Sequence, residues 1–221
     1  MPLRVACLAL LVAASGIGAS AQPVDGAAST VKRIYNLVPP ATDDDLAVGA
    51  LRRTEVETYG LDGRRLRVEW RDPEAALILA FMEMYDTGDQ PFGAVYFEGT
   101  DLDPNLESME YFDDGRLKRV TYFGADSVVT SINEFVLGAE GQELERRYGN
   151  AAGEIRGTDT IGYDANGNQT GYIYESTDGS RRVEYVFRIE AVDARGNWTS
   201  RVVLREGVPR SLEVREVTYA E

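Results

Sequence analysis

The sequence contains no histidine, and its single cysteine is Cys7. Without imidazoles or a second thiol, the chain cannot form the usual zinc sites, a Ser-His-Asp triad or an internal disulfide. Lysine is nearly missing too: Lys32 and Lys118 stand alone, and arginine supplies the remaining positive charge. That charge is itself in deficit, with 23 basic residues against 37 acidic ones and a formal net charge of −14. Phosphate backbones repel such a chain, which excludes nucleic acid as a partner. No G-x-S-x-G, Walker or dinucleotide-binding motif occurs. One long apolar run exists, Val5 to Ala14, and it falls short of the roughly 20 residues a membrane-spanning helix needs.

That run has a different use. Arg4 precedes it and Ala19-Ser20-Ala21 follows, the three-part form of a secretory signal over residues 1–21, cleaved between Ala21 and Gln22. Cleavage removes Cys7 and one positive charge, so 23 − 1 = 22 basic residues face 37 acidic ones, for a net −15. The chain is expected to be secreted or periplasmic, with no membrane association after cleavage. Residues 22–50, with Pro39-Pro40 and Asp43-Asp44-Asp45, read as a tail and linker. Within that stretch, Ser29 to Leu37 suits either a short helix or a first strand.

Residues 51–221 carry a repeat. Turn-forming clusters recur around Gly63, Asp89, Gly115, Gly141, Gly167 and Gly196, at spacings of 26, 26, 26, 26 and 29 residues. Asp and Asn side chains bond to nearby amides, and Gly accepts the positive φ of a tight hairpin. Between turns the pattern alternates with period two. Val183, Tyr185, Phe187 and Ile189 share a face opposite Arg182, Glu184, Arg188 and Glu190, and Arg65 to Arg71 alternates throughout. Such alternation predicts strands with one buried and one wet face. Trp198, Val202 and Leu204 are likewise expected on a buried face opposite Arg201 and Arg205.

The prediction is an all-β fold: an antiparallel meander of about 12–13 strands, each repeat giving two strands, a tight turn and a longer return connection. Open twisted sheet, sandwich and partial barrel all remain compatible. Asp72-Pro73-Glu74 resembles a helix start, yet the repeat register makes Ala76 to Tyr85 a strand that would be apolar, and so covered, on both faces. From Arg210 to Tyr219 the apolar positions change phase, which predicts a bulge or a blunted edge strand.

Tyr163-Asp164-Ala165-Asn166-Gly167-Asn168 and Val192-Asp193-Ala194-Arg195-Gly196-Asn197-Trp198 resemble the YD units of RHS-type bacterial repeat proteins, with Phe112-Asp113-Asp114-Gly115 a weaker copy. The resemblance implies a hairpin scaffold used for display, wrapping or binding, and brings no catalytic residues.

Candidate chemistry is sparse. Asp164-Ala165-Asn166-Gly167-Asn168 matches the start of a calcium loop, with Glu175 at position 12 but Gln169 where the loop needs Gly. A hairpin turn explains the same letters, and no metal or cofactor is expected. Trp70, Trp198, Tyr172 and Tyr174 could stack on sugar rings, but the alternation assigns them to the packed face. Scattered carboxylates single out no acid–base pair. The sequence therefore points to an exported, non-enzymatic binding or structural module of the cell envelope, its partner an unidentified protein or an envelope glycan. The alternatives are a periplasmic carrier of a lipid or other apolar ligand, an outer-membrane barrel and a carboxylate-dependent hydrolase.

Overall fold

The computed structural model describes residues 27–37, 47–60, 62, 64–87, 90–98, 105–112, 115–124 and 126–219. Both residues of the expected cleavage site, Ala21 and Gln22, lie outside them, as do Asp43 to Asp45 and the turn positions Gly63 and Asp89. Every regular element is a strand: β1 (Ala27–Leu37), β2 (Val48–Tyr59), β3 (Arg65–Arg71), β4 (Leu77–Tyr85), β5 (Pro91–Glu98), β6 (Asn105–Phe112) and β7 (Leu117–Phe123), followed by β8 (Val129–Leu137), β9 (Glu143–Gly149), β10 (Ile155–Tyr163), β11 (Gln169–Ser176), β12 (Arg182–Val192), β13 (Trp198–Arg205) and β14 (Val208–Tyr219). Each pairs antiparallel with its neighbour in sequence, and β1 pairs with β14, closing a barrel of 14 strands.

The all-β meander is as the alternation predicts. Strand number and closure differ, and both differences trace to the chain ends. Residues 27–37, expected within a tail and linker, form β1 and supply the wall segment between β2 and β14. The segment Arg210 to Tyr219 is no edge strand, because β14 is bonded on both sides. Its register with β1 runs unbroken from Ser29↔Thr218 to Asn36↔Ser211, and the irregularities fall at the ends of the segment, at Arg210 against β13 and beside Tyr219 against β1. What changes there is which face carries the apolar side chains, outward at Leu212 and Val214 and inward at Val217.

The repeat has a simple geometric basis. Turns at 60–64, 86–90, 138–142, 164–168 and 193–197 are each closed by the first residue's N–H donating to the fifth residue's carbonyl. Gly115, Gly141, Gly167 and Gly196 adopt φ of 77–87°, the left-handed region that Gly occupies without a Cβ penalty. Two strands per repeat bring these turns to one rim. The return connections, expected to be longer, are mostly as tight: Asp72 N–H bonds Ala76 O, Gly124 bonds Val128 and Asn150 bonds Glu154. Asp72 also accepts the Ala76 amide on its side chain, so Asp72-Pro73-Glu74 makes a turn and Leu77–Tyr85 is wholly strand.

Directly opposed residues share a face of the wall. The row Thr30–Glu57–Val68–Phe81–Tyr96 lies inside, as does Tyr111–Lys118–Phe135–Arg146–Asp159–Tyr174. Trp70 and Trp198 are buried on the inner face, as are Tyr59 and Phe135, whereas the register puts Tyr35, Phe97, Phe112 and Phe123 on the outer one. One face assignment is reversed. A register shift between Ile189 and Val192 puts Trp198 on the inner face beside Arg201, while Val202 and Leu204 sit on the outer one, where neighbouring side chains still bury Val202 completely. The wholly apolar β4 is not covered on both sides either: Ile78 and Met82 are 36% and 40% exposed on the outside.

Candidate functional site: the inner wall and the outer ladder

The turns are more than reversals, because their Asn side chains tie hairpin to hairpin. In the 164–168 turn, the Asp164 carboxylate accepts the amides of Asn166 and Asn168. The Asn168 side chain, buried, then donates to Gly196 O at 3.1 Å and accepts the Trp198 amide at 3.2 Å. One repeat later Asn197 donates to the Tyr219 hydroxyl at 2.9 Å, which itself donates to Asp193. The residue before the turn has its own link. Tyr85 donates to Arg65 O and Tyr163 to Glu143 O, both at 2.9 Å and both 20 residues back.

These bonds dispose of the calcium reading. Asp164 serves its own turn, whereas Glu175 lies on the outer face near the far end of β11, paired with Arg182 at 3.2 Å. Six residues of strand separate Gln169 from Glu175, about 20 Å. Among the described residues no group of His, Cys, Asp or Glu is arranged to hold a metal ion.

The inner wall combines rings with ionised groups in three networks. In the first, Glu57 accepts from Thr30 and Tyr59, and Arg65 bridges toward Glu83 at 2.5 Å. Burial raises the Glu57 pKa, but Arg65, the Tyr59 hydroxyl, Lys32 and Thr30 outweigh it and hold the carboxyl below its ordinary value. In the second, Arg146 pairs with the sealed Glu143 at 2.6 Å, and Tyr148 donates to Asp159 at 2.5 Å. Burial raises Asp159 despite that bond, and pushes Glu107 on β6 up to about 7. The third, on β13, β14, β1 and β2, gathers Lys32, Arg53, Glu55, Arg201, Glu213 and Arg215 around Trp70 and Trp198.

The outer wall carries a different pattern. Register places Glu110, Arg119, Glu134, Arg147, Thr158, Glu175 and Arg182 side by side on successive strands β6 to β12. The sign alternates along this ladder, with Thr158 as its one neutral rung. Arg119 meets Glu134 at 2.9 Å, and Arg147 spans Glu134 at 3.6 Å and Glu145 at 2.5 Å. A cavity of about 250 Å³ opens beside it, lined by Arg119, Ile132, Glu134, Ala152, Gly153 and Ile155. Arg67, Glu69 and Arg71 charge the outside of β3 in the same way.

Of the residues marked in the sequence, Gly115, Gly141, Gly167 and Gly196 lie between consecutive strands, each with a positive φ. The inner-wall charges carried no such mark. Lys118 and Arg146 stand on strands whose letters do not say which face is inward, and alternation alone sends charge outward. The ladder could have been found: its rungs follow from aligning the strands through the turns.

No family model and no curated protein matches the chain. Among solved structures, a porin-like protein from Bacteroides uniformis aligns at 10% identity over 87% of this chain and 98% of that one, with a TM-score of 0.34. At that similarity the alignment adds nothing to the barrel read from the strand pairing.

Proposed function

We propose that the chain is a non-enzymatic binding barrel of the cell envelope, assembled from YD-like hairpins, whose outer wall stands in water. The ladder on β6 to β12 carries this reading. A lipid-facing Arg costs about 2–4 kcal/mol near a bilayer midplane. Arg119 and Arg147, which lie within their strands, would cost up to roughly 4–8 kcal/mol facing lipid, comparable to much of the stability of a domain, while Arg182, the first residue of β12, lies nearer the rim and adds less. In water the same rungs are exposed cross-strand pairs of ordinary kind. The absence of catalysis is part of the proposal. The two carboxyls that burial raises, Glu107 and Asp159, stand on different strands and each faces a cation, Lys118 and Arg146 respectively. An apolar cargo suits the interior poorly, since ion pairs line it.

A second reading, the outer-membrane barrel, is favoured by one observation. The wall closes with an even number of strands, 14, around a charged interior, as spanning barrels do. Fractionation separates the two. After export of the full chain, the water-bathed barrel is released by osmotic shock, stays folded without detergent and leaves added liposomes unbound. Recovery only in detergent, with insertion into lipid vesicles, would overturn it in favour of the spanning barrel.

A further inference from the structure

The third inner-wall network is not balanced in charge. Four cations, Lys32, Arg53, Arg201 and Arg215, share two carboxylates, Glu55 and Glu213. Glu55 is divided between Lys32 and Arg53, and Glu213 is taken by Arg201 at 2.7 Å. Arg215 has neither. It is only 7% exposed, and its Nε donates to Trp198 O at 2.9 Å. Its two terminal nitrogens bond no described residue. They are not sealed off either: the sealed atoms without a hydrogen bond are Arg53 Nε, Glu55 Oε1, Arg65 Nε and Arg146 Nε.

The surroundings make this costly for a guanidinium alone. Arg215 and Arg201 both stack on the Trp198 ring, at 4.2 and 4.1 Å from its centre. An indole face attracts a cation, but two guanidiniums on one ring repel each other. Burial, and then Arg201, push the Arg215 group down to about 10. A buried cation without a counter-ion is among the least favourable arrangements in a protein interior. Guanidinium's planar fork matches two oxygens of one anion.

We propose that Arg215, with Arg201 and Lys32 beside it, forms an oxyanion-binding site on the inner wall of β13, β14 and β1, taking the phosphate or carboxylate group of a small ligand. Trp198 holds the Arg215 fork in plane through the Nε bond to its carbonyl, so the terminal nitrogens are presented rather than mobile. The acids outside the network that act on Arg215 are Glu57 and Asp193; Glu57 is occupied by Thr30, Tyr59 and Arg65, and Asp193 by Tyr219 and its own turn, so neither fills the site. The site does not depend on what bathes the outer wall, so its failure and that of the envelope reading are separate results.

The test is calorimetric and thermal titration of the full exported chain with inorganic phosphate and, in a parallel arm, acetate, each at constant ionic strength set with chloride. Saturable binding and a rising unfolding midpoint in either arm are expected, and the responding arm identifies the ligand group. Arg215→Met should weaken that binding by about tenfold or more, while Arg33→Met on the outer wall leaves it unchanged. Should the methionine variant not fold, Arg215→Lys keeps the charge, loses the fork and should still weaken binding. Equal response in the Arg215 variants, or no response beyond that of chloride in the unsubstituted protein, would overturn the site.

Discussion

Replacing Asn168 by Ala isolates the coupling between adjacent hairpins. The side chain is 7% exposed and holds three partners in place: Asp164, Gly196 O and the Trp198 amide. Alanine removes all of them and strands the Trp198 N–H, a donor in a buried residue. Leaving a buried donor unpaired costs about 1–3 kcal/mol, and each lost neutral bond adds roughly 0.5–1.5 kcal/mol. Solvent relaxation at the rim returns part of this, so Asn168→Ala should destabilise by about 2–4 kcal/mol. For a chain of this size that lowers the midpoint by roughly 4–16 °C. Urea titration followed by tryptophan fluorescence suits the measurement, since Trp198 lies at the perturbed contact. Asn197→Ala, one repeat later, loses the bond to Tyr219 and should cost less, because no backbone donor depends on it. A loss below about 0.5 kcal/mol for Asn168→Ala, the range of an ordinary surface change, would refute the reasoning that the turn Asn locks one hairpin to the next.

Other perturbations follow from the same structure. Tyr163→Phe deletes a hydroxyl-to-carbonyl bond and should cost about 1 kcal/mol in urea titration, whereas Tyr85→Phe also removes the hydroxyl's bond to Glu83 at 2.6 Å and should cost more. A Cβ on Gly93 would lie 2.6 Å from the backbone oxygen of Glu107 on the adjoining strand, so Gly93→Ala should lower stability by roughly 1–3 kcal/mol in thermal unfolding. Burial raises the Glu107 carboxyl to about 7, above its value in the unfolded chain. The folded state then binds the extra proton between about pH 4.5 and 7, so this group favours folding less as pH rises through that window and not at all differently beyond it. Glu107→Gln should therefore gain on the unsubstituted protein by up to about 3 kcal/mol between pH 4.5 and pH 8 in urea titrations, and a constant difference across that range would contradict the assignment.

The repeat was readable because each turn demands particular letters. Asp164, Gly167 and Asn168 satisfy amides and a positive φ whatever surrounds them, so the 26-residue spacing survives in the sequence. The second set of turns used weaker chemistry: Asp72-Pro73-Glu74 imitates a helix cap, and the bonds of Asp72 with Ala75 and Ala76 close a turn there instead. Closure was not readable at all. Nothing local in Ala27–Leu37 specifies β14 as its partner, a contact between opposite ends of the chain. The proposed anion site was hidden for a related reason. Alternation reports that Arg201 and Val202 face opposite ways, and the rule that charge faces water then chose the wrong one. Arg201 is satisfied indoors by Glu213 and the rings of Phe187 and Trp198, which tertiary pairing alone brings together.

The closed wall is tested most directly by joining its seam. Val31 and Glu216 oppose each other across β1 and β14. In the chain beginning at Gln22, Val31→Cys together with Glu216→Cys should oxidise to an intramolecular disulfide with folding intact, detected as a thiol-dependent mobility shift of the monomer. A control pair, Val31→Cys with Glu110→Cys, should give none, since β6 lies across the barrel. Free thiols at 31 and 216 in a folded, oxidised monomer would contradict closure and return the protein to an open sheet.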